Sequence, residues 1–167
     1  MISPETIRMY SFFSGLTNDD IIQLANAAEF IDFEPGEYLV HENDPLTHFY
    51  IVVEGKVAVT TKVPDPEKVQ QKSKMLTGET LETKEIQTST VGSGQVFAWS
   101  AMVPPYSATA NVKGLTKGKA IRFDSVKLRQ AFKSNPRFGY LMLQKAAEIL
   151  RNRMKDMRTE SLLCIVK

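Results

Sequence analysis

Between Gly94 and Val112 the chain reads GQVFAWSAMVPPYSATANV. An apolar lead-in, small residues that let a backbone come close to a ligand, and then a strand form the layout of a loop that grips a phosphate. Yet the stretch contains no arginine, lysine, aspartate or glutamate. It offers instead the indole of Trp99, the phenol of Tyr106 and the hydroxyls of Ser100, Ser107 and Thr109. Such a set binds by packing and a few neutral hydrogen bonds, and Pro104-Pro105 stiffens it in one shape. The candidate ligand-binding residues are Val96, Phe97, Ala98, Trp99, Ser100, Tyr106, Ser107, Ala108 and Thr109.

Catalytic and metal chemistry find little support elsewhere. His41 and His48 are the only histidines, and they lie on either side of a turn containing Pro45. That is not the metal triad of a cupin-type enzyme, and no haem-attachment motif accompanies them. Cys164 is the only cysteine, so a disulfide within the chain and a cysteine-based zinc site are excluded. No G-x-S-x-G elbow occurs, and Glu79, Glu82 and Glu85 fall on a polar stretch with no apolar pocket to raise a pKa. No enzymatic activity, catalytic residue or metal site is expected.

A chain of 167 residues suits one domain that buries a core without staples. Hydrophobic residues make up 43% and charged residues 24%, a globular balance that argues against disorder. The formal charge of +2 does not suit a nucleic-acid binder, and the local cluster RNRMK at 151–155 reads as a solvated helix face. The N-terminus has no secretory signal, and no apolar run approaches membrane-spanning length. The expected setting is the cytoplasm, with no membrane partner.

The elements that position the loop follow from periodicity. Residues 1–29 read as helical, with Thr17 as an N-cap and Ile21, Leu24, Ala25 and Ala28 on one face. Residues 30–124 read as short strands separated by turns, an antiparallel two-sheet roll of the jelly-roll type. The polar segment 64–84 reads as an extended hairpin tip or a loop. Residues 125–163 read as a short helix ended by Asn135-Pro136 and a long one of about seven turns. On the long helix Leu143, Ala147, Leu150, Met154 and Met157 keep heptad spacing, and Phe138, Met142 and Ile149 lie on another face. One face packs on the roll and the other meets a second copy; a single wide core-facing stripe is the alternative. The whole chain, 1–167, is expected to be one domain.

In order, FEPGEYLVHEND (33–44), FYIVVEGKVAV (49–59), VGSGQVF (91–97) and ATANVKGLT (108–116), followed by the long helix, resemble a cyclic-nucleotide-binding domain of the catabolite activator protein type. Asn43 stands where the family usually has glycine and is the next-best residue for positive φ. The resemblance implies a β-roll with flanking helices and a regulatory or sensory role, working through a homodimer and an unknown protein partner. The family's ligand cassette resembles Phe-Gly-Glu-Leu-Ala-Leu, five residues, then Arg-Ala-Ala-Thr-Val. Without a gap, Phe97 matches the phenylalanine, Ala98 the glycine, Trp99 the glutamate, Ala108 the arginine and Val112 the valine.

In such domains the glutamate takes the ribose hydroxyl and the arginine the cyclic phosphate. Both anchors are replaced here, so cyclic AMP is disfavoured and no cofactor is assigned. Three readings of the cassette stay open. Trp99 and Tyr106 fill the pocket; a less charged small ligand occupies it; or an anion binds with help from a distant base, Lys113, Lys117 or Arg122. Activators of the family carry a helix-turn-helix after the long helix, whereas this sequence stops at Lys167, so direct DNA binding is not expected.

Overall fold

The computed structural model describes residues 2–64 and 83–165, with the side chains of 160 and 163–165 set aside. Three short helical segments open the chain: α1 (Pro4–Arg8), a 3-10 turn (Ser11–Phe13) and α2 (Asn18–Asn26). Thr17 and Asp20 form a reciprocal capping box at the start of α2, satisfying two backbone donors that the first turn cannot. Ile21, Leu24 and Ala25 then face the core.

Eight strands follow in two antiparallel sheets of four. The first sheet has the order β1 (Ala28–Phe33), β8 (Gly118–Asp124), β3 (His48–Glu54), β6 (Val96–Phe97). The second has the order β2 (Tyr38–Val40), β7 (Asn111–Gly114), β4 (Val57–Pro64), β5 (Thr83–Val91). β1 and β2, and likewise β3 and β4, follow each other across a short turn but are not hairpin partners. Each connection crosses between sheets, with Gly36 and Gly55 at positive φ taking the chain round the corner. Those crossings roll the sheets around Phe33, Phe49, Phe97 and Phe123, all fully buried, with Phe49 and Phe123 stacked 4.6 Å apart. The expected fold is observed: mainly β, with N-terminal helices and a long C-terminal helix. β4 and β5 pair outward as far as Pro64 and Thr83, and the segment between them, including Glu79 and Glu82, lies outside the described residues.

After the roll come α3 (Ser125–Ser134) and α4 (Pro136–Ile165). Their elbow is tied to the N-terminal helices through the buried carboxylate of Asp20. It accepts from Asn135 Nδ2 at 3.1 Å and lies 3.5 Å from Arg137. Phe138, Met142 and Ala146 of α4 are buried and Ile149 partly so. Leu143, Leu150, Met154 and Met157 are 43–55% exposed, so the heptad face points away from the roll. No helix of the described residues is long and apolar enough to cross a membrane.

On the outer face of the second sheet, Lys113 Nζ donates to Glu85 at 2.8 Å, Tyr38 Oη at 3.0 Å, and Thr60 Oγ1 also donates. The hydrogen bond from Lys113, then that from Thr60, holds the Glu85 carboxyl down to about 2. A carboxyl whose folded value is depressed stabilises the fold above its unfolded value and loses that contribution as pH falls through the folded one. Acid titration of the unfolding free energy is therefore expected to show a decline between about pH 4.5 and about pH 2 that Glu85→Gln flattens; superimposable profiles would remove Glu85 from the account.

Candidate functional site

The cassette grows out of β6. Tyr50 and Ile51 of β3 pair with Phe97 and Val96, and the Phe97 ring stacks on Tyr50 at 4.7 Å, which fixes where the loop departs. Ala98 then adopts φ 54°, and residues Trp99–Met102 form one 3-10 turn. Among the described residues the non-glycine positions with positive φ are Asn43, Ala98 and Tyr106. All three belong to this loop or hold it, since the Asn43 amide donates to the Ala108 carbonyl at 2.8 Å. A left-handed alanine or tyrosine costs about 1–2 kcal/mol, and such strain concentrates at binding sites. Ala98 is where the resembled cassette carries glycine, the residue that would enter this conformation without the penalty.

The outgoing limb is zipped to the loop after β2. The Ala108 amide donates to the Asp44 carbonyl at 2.9 Å and the Leu46 amide to the Tyr106 carbonyl at 2.7 Å. Arg129 of α3 clamps the middle: Nη1 donates to the Ala101 carbonyl at 2.8 Å, and the guanidinium lies 4.2 Å from the Tyr106 ring centre. One side chain thus holds both the 3-10 turn and the loop after it.

Six of the nine candidate residues line one pocket: Phe97, Ala98, Trp99, Ser100, Ala108 and Thr109. Val40, Leu46, Val59 and Val112 complete its apolar walls. The other three lie elsewhere. Val96 borders a separate groove beneath α4, Tyr106 sits under Arg129, and Ser107 pairs with Pro45. Tyr106 therefore does not fill the pocket beside Trp99. The remaining void is about 20 Å³, room for about one water molecule.

The three bases considered from the sequence all point to other partners. Lys113 pairs with Glu85, Lys117 with Glu34 at 2.9 Å and Arg122 with Glu29 at 2.7 Å, and none lines the pocket. The cation that does line it is Arg153 of α4, taken from the sequence as part of a solvated face. Arg153 follows Phe138, Met142, Ala146 and Ile149 at spacings of 4, 4, 3 and 4, and that phase is the signal that places it inward. Burial pushes its pKa below the usual guanidinium value. The pocket is therefore neutral within and cationic on its α4 side, not charge-free. Arg153 also borders the groove beneath α4, a hollow of about 340 Å³ between Phe12, Gln95 and Asn152.

His41 stacks on Tyr38 at 4.9 Å and His48 bonds to Thr47, both away from the pocket. Among the described residues no three metal-ligating side chains converge.

The sequence model of the family described as cyclic nucleotide-binding domain matches residues 30–135. A cAMP-dependent protein kinase regulatory subunit of Dictyostelium discoideum is 39% identical over 56 residues, 34% of this chain and 17% of that protein. A CRP-like cAMP-activated global transcriptional regulator of Mycobacterium tuberculosis is 22% identical over 88% of this chain and 58% of its own length. The chain thus spans less than two thirds of either relative. A crystal structure from Geobacter metallireducens superposes with a TM-score of 0.72 at 22% identity, covering 92% of this chain and 99% of that one.

Removing the Arg129 clamp should loosen the cassette without touching the pocket lining. Arg129→Ala is expected to lower the unfolding free energy by about 2 kcal/mol, the loss of one charged hydrogen bond and a cation–π contact. It should also shift Trp99 emission to the red; a variant with wild-type emission and urea midpoint would show that the loop holds itself.

Proposed function

The chain belongs to the cyclic nucleotide-binding domain family, and from that premise we propose that it is a regulatory module whose pocket does not take cyclic AMP or cyclic GMP in the family's usual way. The observation that carries this is the lining itself. Trp99 and Ala108, which stand at the cassette positions of the ribose-binding glutamate and the phosphate-binding arginine, both face the pocket. Hydrogen bonds to charged groups contribute about 1.5–3 kcal/mol each. Losing a carboxylate and a bidentate guanidinium weakens a cyclic nucleotide by several factors of ten, at about 1.4 kcal/mol per factor. The named relatives are described as cAMP-dependent or cAMP-activated; this chain keeps their roll with a different recognition set.

We place the output on α4. Leu143, Ala147, Leu150, Met154 and Met157 form an exposed apolar line at heptad spacing, the pattern that suits a second copy of the same helix. Arg153 puts the same helix in the pocket wall. A ligand that changes the wall therefore shifts α4, and the seam passes the shift to a protein partner. On this reading residues 1–167 act as one cytoplasmic sensory unit that is not an enzyme. The void of about 20 Å³ favours one alternative, a structural interaction module whose pocket stays closed.

Calorimetry with cyclic AMP and cyclic GMP is expected to give no micromolar binding; such binding by either would sink the reading of Trp99 and Ala108. Leu150→Glu puts a charge in the seam and is expected to halve the sedimentation mass, and an unchanged mass would retire the dimer.

A further inference from the structure

Where the pocket keeps its charge narrows what it holds. Val40, Val59, Phe97 and Val112 make the interior apolar, and the hydroxyls of Ser100 and Thr109 are its neutral polar groups. Arg153 is the one cation of this lining, and it borders both the pocket and the groove outside. The Arg153 side chain is therefore shared by the two hollows. Glu148 and Asp156 border that groove as well, but among the described residues no carboxylate comes within ion-pair distance of Arg153. Lys113, Lys117 and Arg122 each have a carboxylate, and Arg129 and Lys145 donate to backbone carbonyls; among the described residues half-buried Arg153 has neither. A guanidinium drawn out of water with no counter-charge is destabilising, and an anion at the same place relieves it.

We infer that the pocket is a site for an amphiphilic organic anion, with its apolar body against the valines and Phe97 and its carboxylate or phosphate on Arg153 at the mouth. This rests on the reading that the pocket takes a ligand other than a cyclic nucleotide. It turns the usual polarity around, since the charge is met by α4 at the entrance and not by the cassette within. A void of about 20 Å³ is too small for such a body, so entry draws Arg153 back toward the groove of about 340 Å³. Binding and a displacement of α4 are then one event.

Trp99 is the chain's only tryptophan and lines the pocket, so its emission reports occupancy directly. The full chain is titrated with hexanoate and hexyl phosphate, with hexanol as the neutral control. A saturable emission change is expected with at least one anion, at least tenfold tighter than with hexanol. Whichever anion binds more tightly identifies the headgroup as carboxylate or phosphate ester. Arg153→Gln should weaken the preferred anion about tenfold or more and leave hexanol unchanged, while Arg153→Lys falls between. Arg153→Gln should also raise the Tm of the ligand-free protein, because an uncompensated charge is removed. The inference is overturned if hexanol binds as well as the anions, if neither anion gives a saturable change, if Arg153→Gln keeps its anion affinity, or if its Tm falls. Cyclic AMP in the same assay separates the two readings: a micromolar response to it defeats the functional proposal, whereas equal binding of hexanol and the anions defeats only this one.

Discussion

The docking of α4 on the roll governs both the pocket wall and the exposed seam. Phe138, Met142 and Ala146 are buried and Ile149 partly so, and a helix with that stripe docked has no rotational freedom left. Residues in phase with the stripe must face inward and those about 100° away must face out. Arg153 is in phase and reaches the pocket; Leu143, Ala147, Leu150, Met154 and Met157 are out of phase and meet solvent. One apolar contact thus sets the pocket-lining face and the exposed apolar face about 100° apart on the same rod. Asp20 at the elbow reinforces the arrangement through Asn135 and Arg137.

The cassette is held by different means. Little of its stability comes from regular pairing, for β6 has only two residues. The Phe97–Tyr50 stack fixes one end, the hydrogen bonds to residues 43–46 fix the other, and Arg129 joins the middle to α3. Ala98 and Tyr106 sit in left-handed backbone that neither prefers. Strain is sustained at two points in one loop, with three independent restraints around it that impose its shape.

Charge is distributed with the same economy. Lys113, Lys117 and Arg122 are matched by carboxylates on other strands or turns, Lys113 by Glu85 across β4, and Glu85 collects three donors on the outer face of the second sheet. Arg129 and Lys145, half-buried without a carboxylate, donate to backbone carbonyls; among the described residues half-buried Arg153 has neither kind of partner, and it borders two hollows.

The sequence alone determined the eight-strand roll, the Thr17 cap, the long helix with two apolar faces and the neutral cassette. Each of these is written in local spacing, in turn residues or in a gapless run of matching types. It also aligned Trp99 and Ala108 with the two anchor positions of the resembled cassette, because that register spans only sixteen residues. The sheet crossings at Gly36 and Gly55, the removal of Tyr106 to Arg129 and the arrival of Arg153 were decided by tertiary structure. Each depends on which surfaces meet across long stretches of chain. Arg153 lies 45 positions beyond Ala108, and nothing local distinguishes an arginine on a solvated face from one carried inward by the docking of a stripe begun about four turns earlier. A missing charge is visible in a string of residues, but which distant side chain comes to line the pocket depends on packing.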